Sequence, residues 1–163
     1  MPIRLRLGNY CYHIRMERNR SIDPQYVPWI IKEYRYWTVL LHEDQRYLGR
    51  AVVWLVREGT MQRFSEITEE EYLELKKVMR EYETVLNRLW QPDFMNYLWL
   101  ANLFDMHGGH GHLHLVPRYK DERIFADTSF TDGRWGKNYT PHEDFKPPED
   151  VLIQIRDALR DLM

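Results

Sequence analysis

Two short runs of apolar, β-branched and aromatic residues, Trp37–Leu41 and residues 51–56, flank a polar stretch that holds His42, Glu43, Asp44 and Gly49. Runs of this length bounded by turn residues predict two strands joined by a turn. After Ser65 the period changes. Thr68 followed three residues later by Glu71 is a reciprocal helix-capping pattern, and Ile67 is placed to staple against Tyr72. Tyr72, Leu75, Met79, Tyr82, Leu86 and Leu89 then recur at spacings of three and four. That spacing predicts a long helix with one buried stripe, ending before Pro92, and the glutamates around it read as its solvated face.

Residues 96–103 and 110–116 read as two further strands, with Pro117 ending the second. Residues 120–148 show no sustained period and contain Gly133 and Gly136. A long irregular segment in a compact domain is often functional. Pro148, Glu149 and Asp150 open a short helix with Val151, Leu152, Ile155, Leu159 and Leu162 on one side. The first 36 residues are rich in Arg and Tyr, contain Pro24 and Pro28, and have no clear period. The chain therefore divides into an extension over residues 1–36, packed on a domain over residues 37–163.

Composition narrows the classes of function. The 163 residues are 44% hydrophobic and 29% charged, which fits one folded domain with its own core. A net charge of -2 gives no general attraction to polyanions, so no nucleic-acid partner is expected. The longest apolar run, residues 51–56, is far shorter than the roughly 20 residues of a membrane helix, so no membrane partner is expected either. The first 20 residues carry five arginines but no apolar segment of a secretory signal. Cys11 is the single cysteine, which fits a reducing compartment and a cytoplasmic location.

Four of the seven histidines, His107, His110, His112 and His114, fall within eight residues. On a strand, alternate side chains share a face, so His110, His112 and His114 would line one side roughly 7 Å apart, with Gly111, Leu113 and Leu115 on the other. Three imidazoles on one face can bind a metal, act as nucleophile and proton donors on a phosphate, or form an inert row. Side chains at i, i+2 and i+4 of one strand diverge, whereas a mononuclear site needs ligands within about 2 Å of one point. An inert row of like-charged rings would repel itself for no structural gain. Phosphate chemistry stays ahead, with no metal ligands assigned. Gly111 within this strand predicts a close neighbour, since glycine otherwise weakens a strand.

The run His110-Gly111-His112-Leu113-His114-Leu115-Val116, followed by Pro117-Arg118-Tyr119, resembles the histidine triad (HIT) pattern of alternating histidine and apolar residues. The order of strand pair, capped helix, the strand with Asn96 and Asn102, and the loop with Arg134, Trp135 and Gly136 also fits, over roughly residues 36 to 140. The resemblance is strongest to dinucleoside polyphosphate (Ap4A-type) hydrolase-like members. It implies an α+β fold with a five-stranded antiparallel sheet, a long helix and a short C-terminal helix, usually paired as a homodimer.

It further implies a nucleotide substrate, with His112 attacking the α-phosphorus to form a nucleotidyl-histidine that water cleaves. His110 would orient the nucleophile, and His114 would help the leaving group depart. His42, Arg50, Asn96, Asn102 and His107 are the substrate-binding candidates, His42 toward the ribose and Asn102 toward phosphate. No cofactor is required for the histidine chemistry, although a divalent ion can accompany the substrate phosphates. A third histidine at His114 favours hydrolysis over transfer of the nucleotidyl group, with a phosphorylase or a non-catalytic nucleotide-binding module as the alternatives. The loop with Arg134, Trp135, Lys137, Asn138 and Tyr139 would close over the phosphate tail or pack against a partner subunit.

Overall fold

The computed structural model describes residues 22–103, 110–138 and 145–163. The molecule is α+β, as expected. Its sheet has five antiparallel strands in the order β1-β2-β3-β5-β4. These are β1 (Ile30–Glu33), β2 (Trp37–Leu41), β3 (Ala51–Leu55), β4 (Phe94–Leu98) and β5 (His112–Arg118). A separate two-stranded hairpin, β6 (Arg123–Phe125) and β7 (Thr128–Phe130), follows. The helices are α1 (Glu69–Leu89) and α2 (Glu149–Arg160).

Alternation along the central strands divides the sheet into two faces. Trp37, Val39, Leu41, Ala51, Val53, Leu55, Leu113 and Leu115 form one core with Leu75, Val78, Tyr82 and Leu86 of α1 and Val151, Leu152, Ile155 and Leu159 of α2. Burying a side chain such as Leu113 in that layer is worth about 1.5–3 kcal/mol. Leu40 lies on the other face, beneath Ile22, Val27 and Ile30, with Trp54 packed against the group. Gly49 lets β3 approach α1, since a Cβ there would stand 2.6 Å from Leu86, and its φ of +83° suits glycine.

Helix α1 starts as its sequence predicts. The Thr68 side chain accepts from the Glu71 N–H, and the Glu71 carboxylate accepts from the Thr68 N–H. Its buried stripe is rotated from the expected one. Val78 and Val85 are buried, whereas Tyr72 is half exposed and lines a groove. The glutamates are also not simply a solvated face. Glu74 accepts from the backbone N–H groups of Arg35 and Tyr36, Glu81 binds Lys32 and the Tyr34 hydroxyl, and Glu83 binds the Tyr97 hydroxyl. The helix thereby clamps the β1–β2 turn and β4.

Other boundaries moved for identifiable reasons. The edge strand β1 lies inside the segment assigned to the extension, because its four residues with a bulge between Ile30 and Lys32 are too short to show alternation. The fourth strand is shorter than residues 96–103 and ends at Leu98, after which Asn102 sits in a tight turn. Pro117 does not end β5 but pairs with Met95 within it. The β3 ladder stops at Leu115, so nothing on that side asks Pro117 for an N–H. Among the described residues no helix is long and apolar enough to cross a membrane.

Candidate active site

The register of β3, β5 and β4 builds the site. Trp54 pairs with His112, Val52 and Leu98 with His114, and Asn96 with Val116. His112, His114 and Val116 therefore share the face opposite the helices, with Asn96 on the neighbouring strand. His110 lies just before the strand, and its ring reaches the same side.

The imidazoles are held in different ways. The Nδ1–H of His112 donates to the backbone carbonyl of His110 at 3.1 Å. A carbonyl only accepts, so Nδ1 carries a proton and, in the neutral ring, the lone pair is on Nε2. His110 has Nδ1 3.1 Å from the Gly59 carbonyl and Nε2 2.5 Å from the Leu55 carbonyl. Either neutral tautomer donates to one of these, and a doubly protonated ring to both. The His114 ring stands edge-on to His112 with centroids 5.0 Å apart, and His42 lies 6.0 Å beyond His114. His42 accepts the Asp44 N–H on Nδ1 at 3.0 Å, which leaves Nε2 to carry the proton of its neutral ring. All three histidines of the run are buried. Charges that develop among them are thus stabilised by fixed dipoles more than in water.

The supports run outward from these rings. A Cβ on Gly111 would lie 2.4 Å from the Met61 methyl and 2.5 Å from the Trp99 ring, which is the close neighbour its sequence position predicts. Trp99 is fixed by donating to the Gln62 carbonyl, and Arg57 ties the same segment to α1 through Glu71 at 2.8 Å. Arg50 is buried and paired with Asp44 at 2.6 Å. Asp44 also accepts from the Arg46 and Phe145 N–H groups, so Arg50 anchors the loop that presents His42.

Arg118, on the histidine face, is bonded to Asp132 at 2.6 Å and to the carbonyls of Arg134 and Lys137. It fixes the loop with Arg134, Trp135 and Lys137 roughly 13 Å along β5 from His114. The Tyr47 ring lies against the Arg118 guanidinium, and burial followed by Asp132 raises its hydroxyl above the usual tyrosine range.

The fold thus brings His42, His110, His112, His114 and Asn96 to one face. Asn102 is exposed in its turn, and His107 and Tyr139 lie outside the described residues. Sequence reasoning missed Trp54, whose indole stacks on both His110, at 4.9 Å, and His112, at 5.0 Å. The signal was available, since Val52 and Trp54 occupy the alternate positions facing away from the core. Among the described residues no group of three or more His, Cys, Asp or Glu is arranged to hold a metal ion.

No protein-family profile and no curated protein sequence matches this chain. Solved structures do. A histidine triad nucleotide-binding protein from Sulfolobus tokodaii superposes with a TM-score of 0.59 at 16% identity, over 94% of this chain and 89% of that one. The chain has the histidine triad fold. The diadenosine triphosphate hydrolase of Plasmodium falciparum shares that fold, with a TM-score of 0.56 at 10% identity, over 86% of this chain and 77% of the other. The NitFhit protein of C. elegans matches with a TM-score of 0.57 at 16% identity over 83% of this chain, which spans only 27% of that longer protein. In histidine triad terms, the alternating run occupies interior strand β5, flanked by β3 and β4.

Proposed function

We propose that the chain is a histidine triad nucleotidyl hydrolase that cleaves at the α-phosphate of a dinucleoside polyphosphate or a nucleoside phosphoramidate. The observation that carries this reading is the His112 Nδ1–H bond to the His110 carbonyl, which leaves Nε2 as nucleophile beside the His114 ring. The Nε2 lone pair forms a bond to phosphorus, and the phosphorus–oxygen (or phosphorus–nitrogen) bond to the leaving group breaks with its electron pair on the departing atom. His114 donates the proton that atom needs. Water then attacks phosphorus, the N–P electron pair returns to Nε2, and the proton from water restores His114.

In this reading His42 donates from Nε2 to the ribose hydroxyls, and Arg50 acts through the loop that holds it. Asn96 meets the substrate from the adjacent strand, Asn102 contacts the phosphates, and His107 is a further substrate-binding residue. Arg134 and Lys137 supply cations for the distal phosphates. No protein-bound cofactor takes part, and a divalent ion arrives with the substrate phosphates. The single cysteine fits a cytoplasmic location.

The protein acts as a homodimer joined through β4. That strand is at the sheet edge with Phe94 exposed, beside an open apolar groove of about 470 Å³ lined by Phe64, Tyr72, Met79, Tyr97 and Trp99. Sedimentation should give twice the 20.1 kDa of one chain, and a Phe94→Lys variant should sediment as a monomer.

Incubation with diadenosine polyphosphates of different chain length and with adenosine phosphoramidate tests the chemistry. A nucleoside monophosphate released without inorganic phosphate supports hydrolysis. A nucleoside diphosphate formed only when phosphate is present shows a phosphorylase, and tight nucleotide binding with no product shows a binding module.

A further inference from the structure

Trp54 lies directly across from His112 in the sheet, and its half-buried indole is nearly parallel to two imidazoles, at 14° to His112 and 18° to His110. Packing against Leu40 and its neighbours accounts for the presence of a large apolar group. It does not account for near-parallel stacking on both rings. An aromatic face attracts a cation through its quadrupole and gives no such attraction to a neutral ring.

The charge on His112 changes during the reaction proposed above, and this inference rests on that reading. Before attack the ring is neutral. When Nε2 bonds to phosphorus and the leaving group departs with its electron pair, Nδ1 keeps its hydrogen, so the ring gains one positive charge. When water displaces the histidine, the N–P pair returns to Nε2 and that charge disappears.

We propose that Trp54 is a positioning residue for His112, holding its ring plane and stabilising the cationic nucleotidyl-imidazole that forms against the indole face. A contact that strengthens only as charge develops lowers the barrier to forming the intermediate and leaves ground-state nucleotide binding unchanged. The same contact slows hydrolysis of the intermediate or leaves it unaltered, because that step removes the charge. Trp54 therefore favours nucleotidylation over release.

The test replaces Trp54 alone with tryptophans carrying one to four fluorines, which weaken the face potential and keep the shape. Rapid quench with a labelled dinucleoside polyphosphate should show nucleotidylation slowing stepwise, by about ten-fold across the series. Affinity for a non-hydrolysable analogue should stay within about twofold, and the trapped intermediate should not live longer. Trp54→Phe should keep more of the rate than Trp54→Leu. A flat fluorine series, or Phe as slow as Leu, overturns the proposal.

A readout free of turnover accompanies this one. Besides Trp54, the ring against His112 is His114, with His42 behind it, while His110 stacks on the same indole, and the fluorine series leaves all three histidines in place. NMR titration of the unliganded protein should show the His112 midpoint falling as fluorines are added. If the parent protein forms no nucleotidyl-histidine, the proposed reaction fails. The titration then decides alone, a falling midpoint supporting the Trp54–cation contact and a constant one overturning it.

Discussion

The ring of His112 and the backbone carbonyl of His110 are joined by one 3.1 Å hydrogen bond that fixes which nitrogen can act. Removing that ring removes both the nucleophile and the tautomer control. His112→Ala should therefore leave nucleotide binding largely intact and slow product release by about 10⁴-fold or more. Acid-stable and acid-labile label on the protein after a rapid quench distinguishes the cases: the parent should carry acid-labile nucleotide and the variant none. Near-normal turnover by the variant would remove His112 from the mechanism.

Gly111→Ala should destabilise the fold by about 1–3 kcal/mol, as overpacking at a filled site does. Both neighbours would have to move, and the Trp99 ring is held by its bond to the Gln62 carbonyl. Urea denaturation followed by tryptophan fluorescence measures the loss. An unchanged midpoint would mean that the segment around Met61 yields freely.

Asp132→Asn should be more costly, at about 3–5 kcal/mol, since it leaves the Arg118 guanidinium buried without its ion-pair partner. Asp132 is 0% and Arg118 7% exposed at the side chain. Thermal unfolding gives the stability, and protease nicking near residues 133–137 reports release of the loop. A Tm equal to the parent's would show that the carbonyls of Arg134 and Lys137 suffice to hold the arginine.

Tyr34, Tyr82 and Tyr119 are held above the usual tyrosine range, chiefly by burial that disfavours the phenolate. The sign follows from linkage. A folded-state value raised above the unfolded one contributes stability that is fully present below about pH 10 and is lost as pH rises from there through the folded-state values. Urea midpoints should hold level to pH 9 and fall steeply above pH 10. Tyr82→Phe should flatten that fall, and a profile level to pH 11.5 would contradict the linkage.

The sequence made some of this visible and hid the rest for physical reasons. The capped helix and the alternating histidines were legible because each signal lies within a few residues. Pro117 was misread as a strand end because its tolerance depends on where the β3 ladder stops, a property of another strand. The β6–β7 hairpin was invisible because its turn uses Ala126 and Asp127 at φ of 48° and 55°. Glycine or asparagine would have announced it. The pairing of Glu74 and Glu81 with the β1–β2 segment joins residues about 40 or more apart in sequence, so charge spacing on the helix alone could not show it. Trp54 was read only as part of a strand, because a β-branched and aromatic run looks the same on either face.

The two margins of the sheet are finished differently. Arg160 donates to the carbonyls of Ile30 and Pro28, and Arg156 also donates to Pro28, so side chains from α2 occupy acceptors beside the bulged β1. A further strand cannot readily add there. Among the described residues, growth of the five-stranded sheet by strand addition is open at β4, and two copies meeting by β4 would each turn a blocked margin outward. Assembly would stop at two, and the same arginines would guard a crowded solution of this protein against fibre formation.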